Sequence, residues 1–166
     1  MSKQDAIALL ENDHATVKKL FAQEEKASGQ KKAGIFDEIK AVLQVHATIE
    51  EEIFYPAVKK VRSENVKDEV REGYEEHKQI KNLLAQIASI TPADETWDAK
   101  IKVLKEDVEH HVKEEEGEMF PDAKKFLHEA ELVKLGAQMA ERKQQLEKAP
   151  TSISATGNQA SAHSAK

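Results

Sequence analysis

Two stretches of this 166-residue chain repeat one chemical phrase. HATIEEEIFYP (46–56) and HVKEEEGEMFP (111–121) each set a histidine four residues ahead of a glutamate, then close on an aromatic and a proline. His and Pro stand ten positions apart in both, and the copies lie 65 residues apart. Positions four apart share one face of a helix, so His46 with Glu50, and His111 with Glu115, can each chelate from one side. Imidazole nitrogen and carboxylate oxygen suit transition metals that favour N/O ligands.

The elements that must position these groups follow from periodicity. Apolar residues spaced three and four apart predict helices over about 4–27, 33–61, 64–89 and 95–118, with a shorter one over 128–148. Ser63 is the expected N-cap of the third helix, and Thr91-Pro92 closes it. Pro56 and Pro121 are expected to end or kink their helices just beyond the repeated phrases. No strand-like alternation competes. Four such helices on short connections imply an all-α, antiparallel up-down-up-down four-helix bundle with an extra C-terminal helix. The echo makes it two similar hairpins about an approximate two-fold axis.

The predicted core stripes hold the surprise. They read Ile7, Leu10, His14, Val17, Phe21; Ile39, Leu43, His46, Glu50, Ile53; Val66, Val70, Gly73, His77, Ile80, Leu84, Ile87; and Ile101, Leu104, Val108, His111, Glu115. Each helix has a mid-stripe histidine, and the second and fourth add a glutamate one turn later. Six unpartnered buried ionisable groups would overwhelm a fold stabilised by only ~5–15 kcal/mol. Four imidazoles and two carboxylates converging from four helices suit two metal ions, with each Glu bridging the pair. A third His-x-x-x-Glu match, His110 with Glu114, falls off the stripe and breaks the ten-residue spacing, so it is set aside.

Composition narrows the alternatives. A formal net charge of −6 leaves no basic stripe for phosphates and argues against nucleic-acid binding. The absence of cysteine excludes a disulfide framework, a zinc-thiolate site and a thiol nucleophile. The start turns acidic too early for a signal peptide, and no apolar run reaches the ~20 residues that span a bilayer. The expectation is a cytoplasmic protein with no membrane partner. It is read as one domain over residues 1–148, then a small, polar, disordered tail over 149–166 that carries His163.

The order His … His-x-x-x-Glu … His … His-x-x-x-Glu resembles the hemerythrin-like, or HHE cation-binding, domain. The phrases DH (13–14), HATIEEEIFYP, EEHKQI (75–80) and HHVKEEEGEMFP carry the resemblance, which covers about residues 5–145. It implies a non-haem di-iron centre: two iron ions, joined by an oxo or hydroxo bridge, on His14, His46, Glu50, His77, His111 and Glu115. It also implies binding of or response to O2, NO, peroxide or iron. Oxygen-carrying members have a His-x-x-x-His pair on the third helix, whereas the position one turn before His77 here is Gly73 and the one after is Lys81. Four histidines predict two nearly equivalent irons that O2 oxidises rather than binds reversibly, with Gly73→His as a route to a fifth imidazole. Val17, Ile80 and Val108 are expected to admit small neutral molecules. The alternatives are a di-iron enzyme decomposing peroxide, in the manner of a catalase, and a metal-stabilised helical interaction module. Tyr55, Tyr74 and Trp97 read as packing residues, and Glu51, Glu52, Glu114 and Glu116 as a solvated acidic face.

Overall fold

The computed structural model describes residues 4–149; the expected tail beyond Ala149, with His163, lies outside them. Every regular element among the described residues is helical: α1 (Ala6–Lys26), α2 (Gln30–Ile49), α3 (Tyr55–Lys59), α4 (Glu64–Ala88), α5 (Trp97–Glu114), α6 (Phe120–Phe126) and α7 (Glu129–Lys148). Two π-helical turns, Glu50–Phe54 and Glu115–Met119, join α2 to α3 and α5 to α6 without a break. The four rods are therefore α1, α2–α3, α4 and α5–α6.

Local chemistry sets the ends. The Asp5 carboxylate accepts the Ala8 N–H at 2.8 Å, satisfying one of the free donors at the start of α1. At α7 the Glu131 side chain accepts the His128 N–H at 2.9 Å. Ser63 is the N-cap of α4 as expected, but its hydroxyl makes no capping bond.

The rods pack antiparallel at each junction. His46 meets Asp13 while Lys32 meets Glu24, so α2 runs against α1. Tyr74 and, two turns later, Lys81 both reach Glu51, joining α4 to the second rod. His111 contacts Glu76 and Lys100 contacts Gln86, setting α5 against α4. Glu116 meets His14 and Lys105 meets Glu25, which closes α5 back on α1.

The core comes in two apolar halves. One gathers Val17, Phe21, Phe36, Ile39, Leu84, Trp97 and Leu104. Trp97 anchors it edge-on to Phe36 and donates its indole N–H to buried Glu24 at 3.0 Å. The other gathers Ile7, Leu10, Ile49, Phe54, Val70, Phe120, Leu132 and Met139, and here α7 adds its share. Gly136 lets α7 approach α1, since a Cβ there would lie 2.5 Å from the Gln4 carbonyl oxygen. Every predicted stripe residue is buried except Ile53, which is partly so. No helix among the described residues is long and apolar enough to cross a membrane.

Candidate metal centre

Between the two apolar halves lies a polar layer, and all six sequence-predicted residues are in it. His14, His46, Glu50, His77, His111 and Glu115 are each at most 7% exposed. Their donor atoms fall into two groups, His14–His46–Glu50–Glu115 and Glu50–His77–His111–Glu115, each within 4.8 Å of one another. Glu50 and Glu115 belong to both. Glu50 Oε2 is 3.3 Å from His46 Nε2 and 3.2 Å from His77 Nε2. Glu115 Oε2 is 3.2 Å from His14 Nε2, and its Oε1 is 3.5 Å from His111 Nε2. The α-helical i, i+4 spacing brings each His–Glu pair together, and the antiparallel packing brings the pairs face to face.

A second set of carboxylates stands behind the rings. His14 Nδ1 lies 2.8 Å from Glu116, His46 Nδ1 3.4 Å from Asp13, His77 Nδ1 2.9 Å from Glu51, and His111 Nδ1 2.6 Å from Glu76. A carboxylate can only accept, so each Nδ1 carries a proton, and Nε2 is the atom that each ring turns inward. The arrangement obeys the internal duplication. The residue before each first-helix histidine (Asp13, Glu76) supports the histidine of the next helix. The residue after each shared glutamate (Glu51, Glu116) supports a histidine of the other hairpin. Glu51 and Glu116 are thus not a free acidic face. The adjacency of acid to ligand in DH, EEH and EEE was the available signal.

The prolines do not end their helices. A proline inside an α-helix lacks an N–H and crowds the carbonyl four residues back. Here the preceding turn widens, so that the Tyr55 N–H bonds Glu50 and the Phe120 N–H bonds Glu115, five residues back. Each widened turn begins at a shared glutamate and delivers the following aromatic onto a histidine. Tyr55 stacks on His77 with ring centroids 5.4 Å apart, and Phe120 stacks on His14 at 5.8 Å.

At this pair the two-fold likeness breaks. The Tyr55 hydroxyl donates to Glu115 Oε1 at 2.8 Å and lies 3.4 Å from His77 Nε2; Phe120 has nothing to offer. Tyr55 fits because residue 73 is glycine: a Cβ there would come 2.6 Å from the phenol oxygen. Leu10 stands at the matching place before His14. The space expected to receive a fifth imidazole is filled by Tyr55, so Gly73→His does not fit, and the two donor groups are not equivalent.

The charges settle unevenly. Burial and the neighbouring Glu115 raise Glu50 well above the ordinary carboxyl range. Burial opposes ionisation of Glu115 too, but His111 and His14 outweigh it and hold that carboxyl low. Burial likewise disfavours charge on His14 and His111, yet Glu115 in particular raises both. His46, buried beside His14, is pushed down to about 4, and burial also lowers His77. His14 Nε2, His46 Nε2, both Glu50 oxygens and Glu115 Oε2 have no hydrogen-bond partner. Inward nitrogen and oxygen atoms without hydrogen-bond partners fit cations of the N/O-favouring class. A cleft of about 460 Å³ between α1 and α5 reaches His14 over Val17, Phe21 and Val108, whereas Ile80 packs in the apolar half beyond.

Comparison with known proteins gives a consistent picture. Residues 5–123 match the family model described as hemerythrin HHE cation binding domain. The fold superposes with a TM-score of 0.75 on the crystal structure of a hemerythrin HHE cation binding domain-containing protein from Mycobacterium kansasii, 26% identical and covered to 86% on both sides. An uncharacterised protein of Mycobacterium tuberculosis is 26% identical over 149 residues, 88% of this chain and 89% of its own. A DNA nickase of a Nostoc species is 33% identical over 121 residues, 72% of this chain. This chain spans only a third of the nickase's length.

Proposed function

The chain belongs to the hemerythrin HHE cation-binding domain family, and we propose that it is a non-haem di-iron protein whose buried centre binds or responds to O2, NO, peroxide or iron. One observation carries this reading: two four-donor groups share Glu50 and Glu115. His14 and His46 would hold one iron and His77 and His111 the other, with both glutamates spanning the pair. The bound irons would supply the one-electron chemistry that these side chains lack. The chain's own residues do the rest. Asp13, Glu51, Glu76 and Glu116 hold protons on the four Nδ1 atoms and keep the Nε2 lone pairs inward. The apolar halves exclude bulk water, and the cleft over Val17 and Val108 admits small molecules to the His14 side. The domain extends over residues 1–148 in this reading, in a cytoplasmic protein.

A second reading, peroxide decomposition, is favoured by Tyr55. Its hydroxyl is a buried proton donor against Glu115 on one side of the centre only, the kind of asymmetry that polarises a small oxidant. The nickase likeness covers too little of that protein to bring its activity here, and the net charge of −6 opposes phosphate binding. Anaerobic iron loading tests the main reading, with an expected uptake of about two ions per chain. His46→Ala and His111→Ala should each lose metal; full loading in both would sink the assignment. Absorbance spectra of the loaded protein with O2, NO and peroxide, and peroxide turnover, then separate response from catalysis.

A further inference from the structure

The third His-x-x-x-Glu match has a place in the structure after all. His110 Nε2 lies 2.9 Å from Glu114 Oε1 and 3.5 Å from Glu76 Oε1, three donors within 4.8 Å of one another. The other oxygen of Glu76 is the one 2.6 Å from His111 Nδ1. Glu76 therefore touches both this outer trio and a residue of the buried centre. The side chains grade inward: His110 is 63% exposed, Glu114 34% and Glu76 14%.

Two clefts meet here. The outer, of about 240 Å³, is lined by Glu72, Glu75, Glu76, Gln79, Asp107 and His110. The inner, of about 40 Å³, shares Glu72 and Glu76 and runs past Glu114 and Gly73 to Glu115. Glu115 is 1% exposed, and its Oε2 is without a hydrogen-bond partner. Among the described residues no lysine or arginine lines either cleft.

The internal two-fold shows that the centre does not require His110 or Glu114. The places matching Glu76, His110 and Glu114 in the other half are Asp13, Val45 and Ile49. Ile49 is fully buried, and Asp13 is paired with Lys143 of α7. One face is covered by α7, with its carboxylate paired; its twin is open, acidic and carries an extra imidazole.

We propose that Glu76, His110 and Glu114 form a third, outer site for a divalent transition cation, which feeds metal inward past Gly73 to Glu115. One imidazole and two carboxylates suit the same N/O-favouring cations as the centre. The open position leaves the ion part-hydrated, held loosely enough to move on. The surrounding carboxylates concentrate cations at the mouth. Glu76, with one oxygen facing each way, is the step between the two. The inference rests on the buried layer being a metal centre.

The test uses the full chain, with His110→Ala, Glu114→Gln and the double variant, none of which alters a group assigned to the centre. In iron-loaded protein, Mn(II) titration followed by electron paramagnetic resonance should find one additional bound ion in the wild type and none in the double variant. In metal-free protein, stopped-flow absorbance should follow Co(II) uptake into the centre, slower by about tenfold in the double variant at low salt but with equal final content. Circular dichroism checks that the variants fold, and Glu114→Gln alone gives the same direction of effect if the double variant does not. An absent Mn(II) site, or uptake as fast in the variants as in the wild type, overturns the proposal. Failure of the wild type itself to take Co(II) inside would instead strike the metal-centre reading, and the same Mn(II) titration run on the metal-free wild type and double variant would decide the outer site alone.

Discussion

At the scale of single residues, the centre depends as much on the carboxylates behind the histidines as on the histidines. A neutral imidazole presents either nitrogen, and only an acceptor at Nδ1 commits Nε2 to the inside. Glu51 is the most informative to change, because it serves His77 and is itself steadied by Lys81 at 2.7 Å. Glu51→Gln should weaken metal binding by about 10–100-fold, measured by competition with a chelator, while circular dichroism stays unchanged. Affinity equal to wild type would mean that the ring orientation is set by packing alone. The six inward residues were legible in the sequence because a histidine on an apolar stripe contradicts its surroundings. Glu51 and Glu116 offered only their adjacency to a ligand, and an acid one step from the stripe looks the same whether it faces water or the edge of an imidazole. Only the neighbouring helix decides that.

At the scale of elements, the two widened turns are what a helical pattern hides. The 3.6-residue period continues on either side of them, and a proline reads as a stop, yet the chain absorbs one extra residue and goes on to Lys59 and Phe126. The phase shift matters because it turns Tyr55 inward against Gly73. Tyr55 is fully buried, with Tyr74 at 5.1 Å and His77 at 5.4 Å between ring centroids, so it cannot step aside cheaply. Gly73→Ala gains helix propensity but meets the phenol, and overpacking of this kind costs about 1–3 kcal/mol. Chemical denaturation should therefore show a destabilised variant, and Gly73→Ala combined with Tyr55→Phe should recover part of the loss. A stabilised single variant would show that Tyr55 moves freely and that the fifth-histidine place is open. The antiparallel order of the rods could be read from the stripes and short connections, whereas the docking of α7 on one half alone could not. Its partner surface is made of residues from two separate rods, α1 and α2–α3.

At the scale of the whole molecule, the polar layer divides the hydrophobic core, and the fold and the metal are linked through protons. In the metal-free protein His14 and His111 are raised above the ordinary imidazole value, and Glu50 above the ordinary carboxyl value. A raised histidine stabilises the fold below about pH 6.5, and that contribution is lost as pH climbs through its folded value. Glu50 acts in the same sense, favouring the fold only while it keeps its proton. Metal binding has the opposite sign, because all three protons must leave before the donors can bind a cation. His46, pushed down to about 4, is already neutral and releases none, and burial lowers His77 in the same direction. The melting temperature of loaded protein should therefore exceed that of metal-free protein, by a margin that widens as pH rises from about 6.5. Paired thermal scans across that range would measure it, and titration calorimetry in buffers of different ionisation heat would count the protons released. A margin that stays constant or narrows with pH, with no protons released, would mean that His14, His111 and Glu50 are not the groups the metal displaces.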